Sequence, residues 1–192
     1  MGTFRENSGL GELAGTIGGM VFVNYKPGLK IIRRRPERKK PAREAEIANR
    51  KDFAQAVTYA KGVWAEQPAL RARYNAAARL QGRRGFDLAK ADFRLRPEIR
   101  EVNLSGYSGK PGEPIVIDAT DDFEVKAVTV VVQQLNGTAL EEGAAVAKDG
   151  QWVYNAQTEV AAGQTVVVQV TAADNPGHKT TRSFDHACGP RG

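Results

Sequence analysis

The sequence has very little of the residues that most enzyme and metal sites need. Its 192 residues include one cysteine, Cys188, and two histidines, His178 and His186. A single cysteine excludes a disulfide within the chain, and no cysteine or histidine spacing matches a zinc site or a nucleophile–base pair. Since no catalytic triad or acid pair can be assigned either, we expect a protein that is not an enzyme and needs no cofactor or metal.

Long apolar runs and a leader segment are also missing. No stretch approaches the roughly 18 uninterrupted apolar residues of a membrane span. The first 13 residues contain Arg5, Glu6 and Glu12 instead of a basic-then-apolar signal. Hydrophobic residues make up 41% of the chain and charged residues 26%, which is typical of globular proteins. We therefore expect synthesis in the cytoplasm, with no signal peptide and no membrane span.

Positive charge is concentrated in the first half of the chain. Residues 1–97 carry 21 lysines and arginines against 9 acidic residues, whereas residues 98–192 carry 7 against 13. The net charges of the two halves are therefore +12 and −6. This asymmetry indicates two regions with different partners, the first of which is attracted to polyanions or acidic surfaces.

The N-terminal region predicts a β-hairpin that leads into a basic strip. Two β-prone runs, 20–25 and 29–33, flank a Pro-Gly turn. The glycine-rich stretch before them is typical of either a flexible arm or a tight turn. Six of the eight residues at 33–40 are lysine or arginine, and Pro36 and Pro41 favour an extended backbone there.

We expect this strip to contact nucleic acid phosphates or an acidic protein surface, and the residues alone favour neither. A second basic pair, at positions 83 and 84, either joins the strip or neutralises a helix C-terminus, and we favour the helix terminus. The candidate binding residues are Lys30, Arg33, Arg34, Arg35, Arg38, Lys39, Lys40, Arg83 and Arg84.

Helical periodicity replaces the strand pattern after residue 42. Apolar residues near three-and-four spacing predict a helix over 43–65, a second from Pro68 to Gly82, and a short third over 86–95. The predicted apolar faces of the first two helices comprise Ile47, Phe53, Val57, Ala60 and Trp64, then Leu70, Tyr74, Ala77 and Leu80. We take residues 1–97 as one α+β module, a hairpin plus two or three helices.

After Pro97 the pattern is that of short strands separated by turns. The predicted strands are 99–104, 114–119, 125–133, 151–154, 164–171 and 179–184. Six or seven short strands in roughly 90 residues are typical of an all-β immunoglobulin-like sandwich, which we assign to residues 98–187 before a tail of 188–192. Trp152 and Tyr154 alternate with one another, so we place both on the core face.

Four acidic residues lie at the ends of these strands: Asp118, Asp121, Asp122 and Asp174. Calcium needs six to eight oxygen ligands, and strand ends at one pole of a sandwich are able to supply them. Aspartates also form turns without any metal, and no complete ligand loop is present. We favour the turn-forming role and predict no metal site.

Two resemblances accompany these patterns. Residues 119–122, 150–154 and 170–175 resemble segments of bacterial and phage immunoglobulin-like modules. The N-terminal half is similar to a group of uncharacterised bacterial and prophage proteins that have a glycine-rich arm, a hairpin, a basic Arg-x-Arg-Pro segment and an Arg-x-x-Phe helix. Here these motifs fall at 15–23, 33–36 and 50–53, followed by Trp64 and by 82–86. The resemblance implies a phage particle or prophage context and implies no reaction.

These observations lead to three hypotheses about function. The first is a structural protein of a phage or phage-like particle, capsid or tail associated, whose basic module is anchored to other copies of itself and to particle proteins as a homo-oligomer. It would be located in the virion and display the sandwich. The second is nucleic-acid binding through the basic strip of residues 33–40. The third is adhesion, in which the sandwich binds a host glycan or protein.

Overall fold

A computed structural model describes residues 2–5, 15–26, 29–35 and 43–189, with side chains in 15–23, 31–35 and 43–189. By its internal contacts the chain divides into two compact units, residues 1–47 and residues 48–192. The described residues form three helices and three four-stranded antiparallel sheets, with more strand than helix. An α+β composition is therefore present, as expected.

The first unit contains a sheet in the order β1-β4-β3-β2, formed by the strands β1 (Gly2–Arg5), β2 (Gly15–Ile17), β3 (Met20–Lys26) and β4 (Leu29–Arg34). The predicted hairpin is the antiparallel pair β3–β4. Gly18 and Gly19 form the turn between β2 and β3 with φ of 52° and 79°, a region that glycine adopts at little cost. This part of the glycine-rich stretch is therefore a tight turn. The sequence did not predict β1 or β2.

The helices lie in sequence close to the predicted ranges: α1 (Glu44–Glu66), α2 (Pro68–Leu80) and α3 (Gly85–Arg94). Pro68 is the first residue of α2, where its missing N–H costs nothing. Gly82 follows α2 with a positive φ of 64° and allows the chain to turn. No helix in the described part of the chain is long and apolar enough to cross a membrane.

The buried faces of α1 and α2 match the predicted ones in part, because Ala60 and Tyr74 are buried and Trp64, Leu70 and Ala77 pack against the same cluster. Ile47, Phe53 and Leu80 belong to the predicted apolar faces but are 55%, 47% and 91% exposed. The Phe53 ring instead lies 5.4 Å from the Lys90 ammonium, outside the core. The buried face of α1 consists of Ala56, Ala60 and Val63. Small alanines allow close packing, so the largest apolar side chains were a poor guide to the buried face here.

Residues 98–187 form two sheets of four strands each. The first has the order β5-β6-β10-β9 and is formed by β5 (Glu98–Asn103), β6 (Pro114–Thr120), β9 (Val146–Lys148) and β10 (Gln151–Asn155). The second has the order β12-β11-β7-β8 and is formed by β7 (Ala127–Gln134), β8 (Ala139–Ala144), β11 (Thr165–Ala173) and β12 (Lys179–Ala187). The sequence analysis did not predict β8, whose Glu141, Glu142 and Gly143 are of types depleted in strands, or the three-residue strand β9.

The two sheets pack around one hydrophobic core. Alternate residues of β7 and β11 are buried, as expected for strands with one face inward. Trp152 and Tyr154 lie opposite Ile117 and Ile115 on the same face, as predicted. The core contains Ile99, Tyr107, Ile115, Ile117, Val128, Val130, Val132, Ala145, Tyr154, Ala156, Val160, Val166, Val168, Val170, Ala172 and Cys188.

The predicted boundary at Pro97 lies inside the second unit. Pro97 is itself buried. The helices form their own cluster around Val63, Tyr74 and Leu88, and this cluster includes Phe123 from the segment between β6 and β7. The helices and the sandwich are therefore packed together within the second unit. The division into 1–97, 98–187 and 188–192 stays a prediction about independent domains.

Candidate functional site

Three predicted binding residues lie together at the end of β4 in the first unit. Arg33 and Arg34 are the last residues of the strand, Arg35 follows, and all three side chains are exposed. The Arg35 N–H donates to the Gly19 carbonyl at 2.7 Å, so its backbone is held beside the turn. No ion pair between described residues involves these three guanidinium groups.

The strand alternation divides these arginines between the two faces of the sheet. Arg34 pairs with Met20 and Arg33 pairs with Val21 on β3. Residues directly opposite one another on an antiparallel pair share a face, and successive residues do not. A partner that binds one face therefore meets Arg33 or Arg34, and one that wraps around the end of β4 meets both.

The other predicted binding residues are placed differently. Lys30 lies in β4, but its side chain falls outside the described part of the structure. The predictions for Arg38, Lys39 and Lys40 also fall on residues that are not described.

Arg83 and Arg84 lie in the second unit, between α2 and α3, and both contact carboxylates. Arg83 Nη1 is 3.9 Å from Asp122 Oδ2, and Arg84 Nε is 3.1 Å from Asp87 Oδ2. They neutralise acids of their own unit, so a role for them in polyanion binding stays a prediction. Arg84 is the N-cap residue of α3, and the Arg83 N–H donates to the Ala78 carbonyl in the last turn of α2.

On both faces of the first unit's sheet, which we call the open sheet, the described side chains are exposed or half-buried. None of its described side chains is buried, although most of those on β3 and β4 are apolar. One face carries Ile17, Met20, Phe22 and Ile32, as the strand registers show. Ile17 and Met20 are 51% and 49% exposed. An antiparallel sheet normally packs one face on a core, and no described residue of the first unit provides such a core for this sheet.

A buried polar network lies among the helices of the second unit. The Tyr74 hydroxyl donates to Asp92 Oδ2, and the Tyr59 hydroxyl is 3.0 Å from the Tyr74 hydroxyl. Both Tyr74 and Asp92 are completely buried. Burial raises the pKa of Tyr59 to about 12 and raises the pKa of Tyr74 further. Both tyrosines are therefore neutral donors over the whole physiological range.

Two carboxyl groups of the sandwich loops, those of Asp121 and Asp174, approach this network. Asp121 follows β6 and neighbours Asp92, and burial raises the pKa of both side chains, to about 8 for Asp92. The Tyr74 hydrogen bond opposes the shift at Asp92, and Asp121 and Asp174 add to it. A carboxyl group with such a pKa retains its proton near neutral pH.

Asp174 has a different role, because it organises the turn between β11 and β12. Its Oδ1 accepts hydrogen bonds from the backbone N–H groups of Gly177 and His178 at 2.7 and 2.6 Å. Its Oδ2 lies 2.9 Å from His178 Nδ1. This is the turn-forming role that the sequence favoured for its aspartates.

The structure does not gather the four strand-end aspartates into a metal site. Asp118 lies opposite Glu101 on β5, away from the aspartates that approach the helices. In the described residues no group of three or more histidine, cysteine, aspartate or glutamate side chains is arranged to hold a metal ion.

The sequence reading missed Asp92, Tyr59 and Tyr74 as a connected polar group. One signal was present: Asp92 follows the buried Leu88 and Ala89 of α3 at helical spacing, so it lies on the apolar face. An acid on such a face needs either a partner or a proton. The tyrosines gave no such signal, because tyrosine on an apolar face is ordinary core.

Comparison with known proteins shows only distant similarity. No family model matches the chain, and no curated protein matches it. Among solved structures, CopC from Methylosinus trichosporium OB3b is 16% identical, with 50% of this chain and 96% of that chain covered at a TM-score of 0.39. A DUF4426 family protein from Pseudomonas aeruginosa PAO1 is 22% identical, with 51% and 93% covered at a TM-score of 0.35.

Proposed function

We propose that the protein is a non-enzymatic assembly component of a phage or phage-like particle, in which the first unit anchors the chain to neighbouring subunits and the second displays a sandwich. The observation that carries the proposal is the open sheet of the first unit, whose described side chains are all at least partly exposed. The second unit, in contrast, has two buried clusters of its own.

The energetic argument concerns the faces of this sheet. Strand pairing satisfies backbone hydrogen bonds but contributes only a modest net stabilisation, and most of the stability of a sheet comes from apolar burial. Ile17, Met20 and Ile32 remain available for burial on one face. Each side chain that a neighbouring subunit covers contributes about 1.5–3 kcal/mol. Subunit contact is therefore the favourable way to complete this sheet.

For the displayed part we infer an immunoglobulin-like sandwich. The strand orders β5-β6-β10-β9 and β12-β11-β7-β8 match the A-B-E-D and G-F-C-C′ orders of that architecture when the strands are lettered along the chain. An inter-sheet disulfide is absent because the sequence has one cysteine. Modules of this kind display loops at both ends of the sandwich, which suits an exposed position on a particle.

The test is the mass of the full chain in solution, measured by light scattering over a range of micromolar concentrations. We expect species larger than the 20.8 kDa monomer. Met20→Ser should shift the population toward monomer, because it removes apolar contact from the open face. Leu135→Ser is the matched control, since Leu135 is an isolated residue of the second unit with 66% exposure. A monomer at every concentration contradicts the proposal.

The exposed arginines support a second candidate function, nucleic-acid binding. Arg33, Arg34 and Arg35 have no ion-pair partner within the described residues and are concentrated in three consecutive positions. Each phosphate contact contributes about 0.9 to the magnitude of the slope of log affinity against log salt concentration. If each arginine contacts one phosphate, changing all three to alanine therefore lowers this magnitude by about 2.7.

A control with the same loss of charge separates this candidate from general attraction. Lys61, Arg79 and Lys148 are exposed residues of the second unit, and their triple alanine variant also loses three positive charges. Binding of a DNA duplex should weaken steeply only in the variant of residues 33–35. Equal weakening in both variants contradicts a site at these arginines.

A further inference from the structure

The helices of the second unit meet the sandwich mainly through two loops. Phe123, between β6 and β7, stacks on Tyr74 with ring centroids 4.2 Å apart. Its neighbour Glu124 pairs with Arg73 of α2. In the turn between β11 and β12, the His178 ring lies 5.3 Å from the Phe93 ring of α3. The buried Asp92 and Asp121 side chains lie at this junction.

Buried oxygen atoms of both side chains have no hydrogen-bond donor among the described residues. They are Asp92 Oδ1 and both carboxyl oxygens of Asp121. The Asp92 and Asp121 carboxyl groups are neighbours across this junction, since each shifts the pKa of the other. Two carboxylates are both acceptors and repel each other, so a hydrogen bond between them requires that one carries a proton.

The described groups around this pair are neutral or paired with other acids, so none of them neutralises a second ionised carboxylate in place of the proton. From the helices, the neutral Tyr59 and Tyr74 face Asp92. Arg73 pairs with Glu124 and Arg83 with Asp122, and His178 Nδ1 lies against Asp174 Oδ2.

Asp121 also borders an open cleft of about 290 Å³. The cleft is lined by Leu95, Arg96, Glu98, Arg100, Thr120, Asp121 and Asp122. No ion pair between the described residues joins Arg96 or Arg100 to Asp121. Asp121 therefore borders solvent-accessible space, although its carboxyl oxygens are themselves buried.

We propose that the Asp92–Asp121 carboxyl pair holds one proton and acts as a pH-sensitive clasp between the helices and the sandwich. With the proton present, α3 is joined to the segment after β6 by a carboxyl–carboxylate hydrogen bond. When the proton leaves to solvent, two adjacent buried carboxylates face each other near Asp174. Repulsion and poor solvation then separate α2 and α3 from residues 121–124.

The direction of the pH effect follows from the raised pKa of Asp92. In an open or unfolded chain its pKa returns to the ordinary value of 3.8, whereas burial raises it to about 8 in the closed form. The closed form therefore binds a proton that the open form has lost. The stabilisation is complete below about pH 4, decreases as the pH rises, and is lost above about pH 8.

The experiment is amide hydrogen exchange of the full chain from pH 5 to pH 9, corrected for intrinsic exchange rates. In the wild type, the opening constant of amides in α3 should rise by up to tenfold per pH unit until about pH 8. Amides in the centre of β11 should not change with the same slope. In Asp92→Asn this dependence should disappear, because the amide oxygen still accepts from Tyr74 while its NH₂ donates to Asp121 without titrating.

A second variant with its control and an NMR titration of the wild type keep the proposal falsifiable. Asp121→Asn provides the same donor from the other side of the pair, and it should also flatten the pH dependence if Asp92→Asn does not fold. Asp185→Asn on exposed β12 is the matched control and should behave as the wild type does. Carboxyl ¹³C NMR of the wild type should show Asp92 titrating well above pH 4. Titration near 4, or an unchanged slope in both asparagine variants, overturns the clasp.

Discussion

The sheet of the first unit and the sandwich of the second are built from the same antiparallel pairing but differ in what they bury. Every described side chain of the first sheet is at least partly exposed, whereas alternate residues of β7 and β11 are fully buried. Backbone pairing is therefore not what distinguishes a self-sufficient sheet from an incomplete one. The difference lies in the second apolar layer, which the sandwich has and which, under the proposed function, a neighbouring subunit provides for the first sheet.

The largest expected effect on the free energy of unfolding comes from changing an isoleucine to alanine, once in the sandwich and once in the first sheet. Ile117→Ala in the core of the sandwich should lower the free energy of unfolding by about 2–5 kcal/mol, because Ile117 is completely buried. Ile32→Ala in the first sheet should lower it by less than about 1 kcal/mol in the monomer, because Ile32 is partly exposed. Denaturant unfolding of the two variants measures both values. Equal costs would show that the first sheet is already packed.

A smaller effect is expected at Gly143, where the second unit is closely packed. A Cβ at this position would lie 2.6 Å from Tyr154 Cε2, so Gly143→Ala should destabilise by about 1–3 kcal/mol. Gly62→Ala in α1 is the matched change, since no atom lies within 4 Å of its added Cβ. It should stabilise by about 0.5–1 kcal/mol through helix propensity. Thermal unfolding of both variants tests the contrast, and a neutral Gly143→Ala would contradict it.

The smallest effect concerns a turn that the second unit stabilises with its own groups. Glu113 accepts hydrogen bonds from the Ser108 and Lys110 backbone N–H groups at 2.6 and 3.0 Å, and the first of these is the main cause that lowers its pKa to about 2. The contribution of the ionised Glu113 side chain to folding stability is therefore present above about pH 4.5 and is lost as the pH falls to about 2.

Glu113→Gln should lower the melting temperature slightly at pH 7 and leave it unchanged near pH 2. Glu159→Gln, at an exposed glutamate, is the control. A difference between Glu113→Gln and the wild type that stays constant with pH would refute this account of the turn.

Sequence patterns predicted the positions of helices and strands better than they predicted which residues of a helix are buried. Pro68 and Gly82 marked the ends of α2 because their backbone preferences are local. The short strands β2 and β9 depend on pairing with a neighbour that local preference does not reveal, and they were missed. The exposed positions of Phe53 and Leu80 depend on which small residues allow helices to approach, which is a property of the packed structure.

The candidate sites divide in the same way. Arg33, Arg34 and Arg35 were visible as a charge cluster, and the structure places all three on the surface. The carboxyl pair was not visible, because Asp92 and Asp121 are distant in sequence and meet only when α3 packs on the segment after β6. Long-range placement of this kind requires the tertiary structure.

The contrast between the two regions is tested most directly by hydrogen exchange of the wild-type chain at several protein concentrations. Protection of amides in β3 and β4 should rise with concentration, because the open sheet is completed by other copies of the chain. Protection in β7 and β11 should not change. Strong protection of β3 and β4 that persists at the lowest concentration would show that this sheet needs no partner, and would contradict the account.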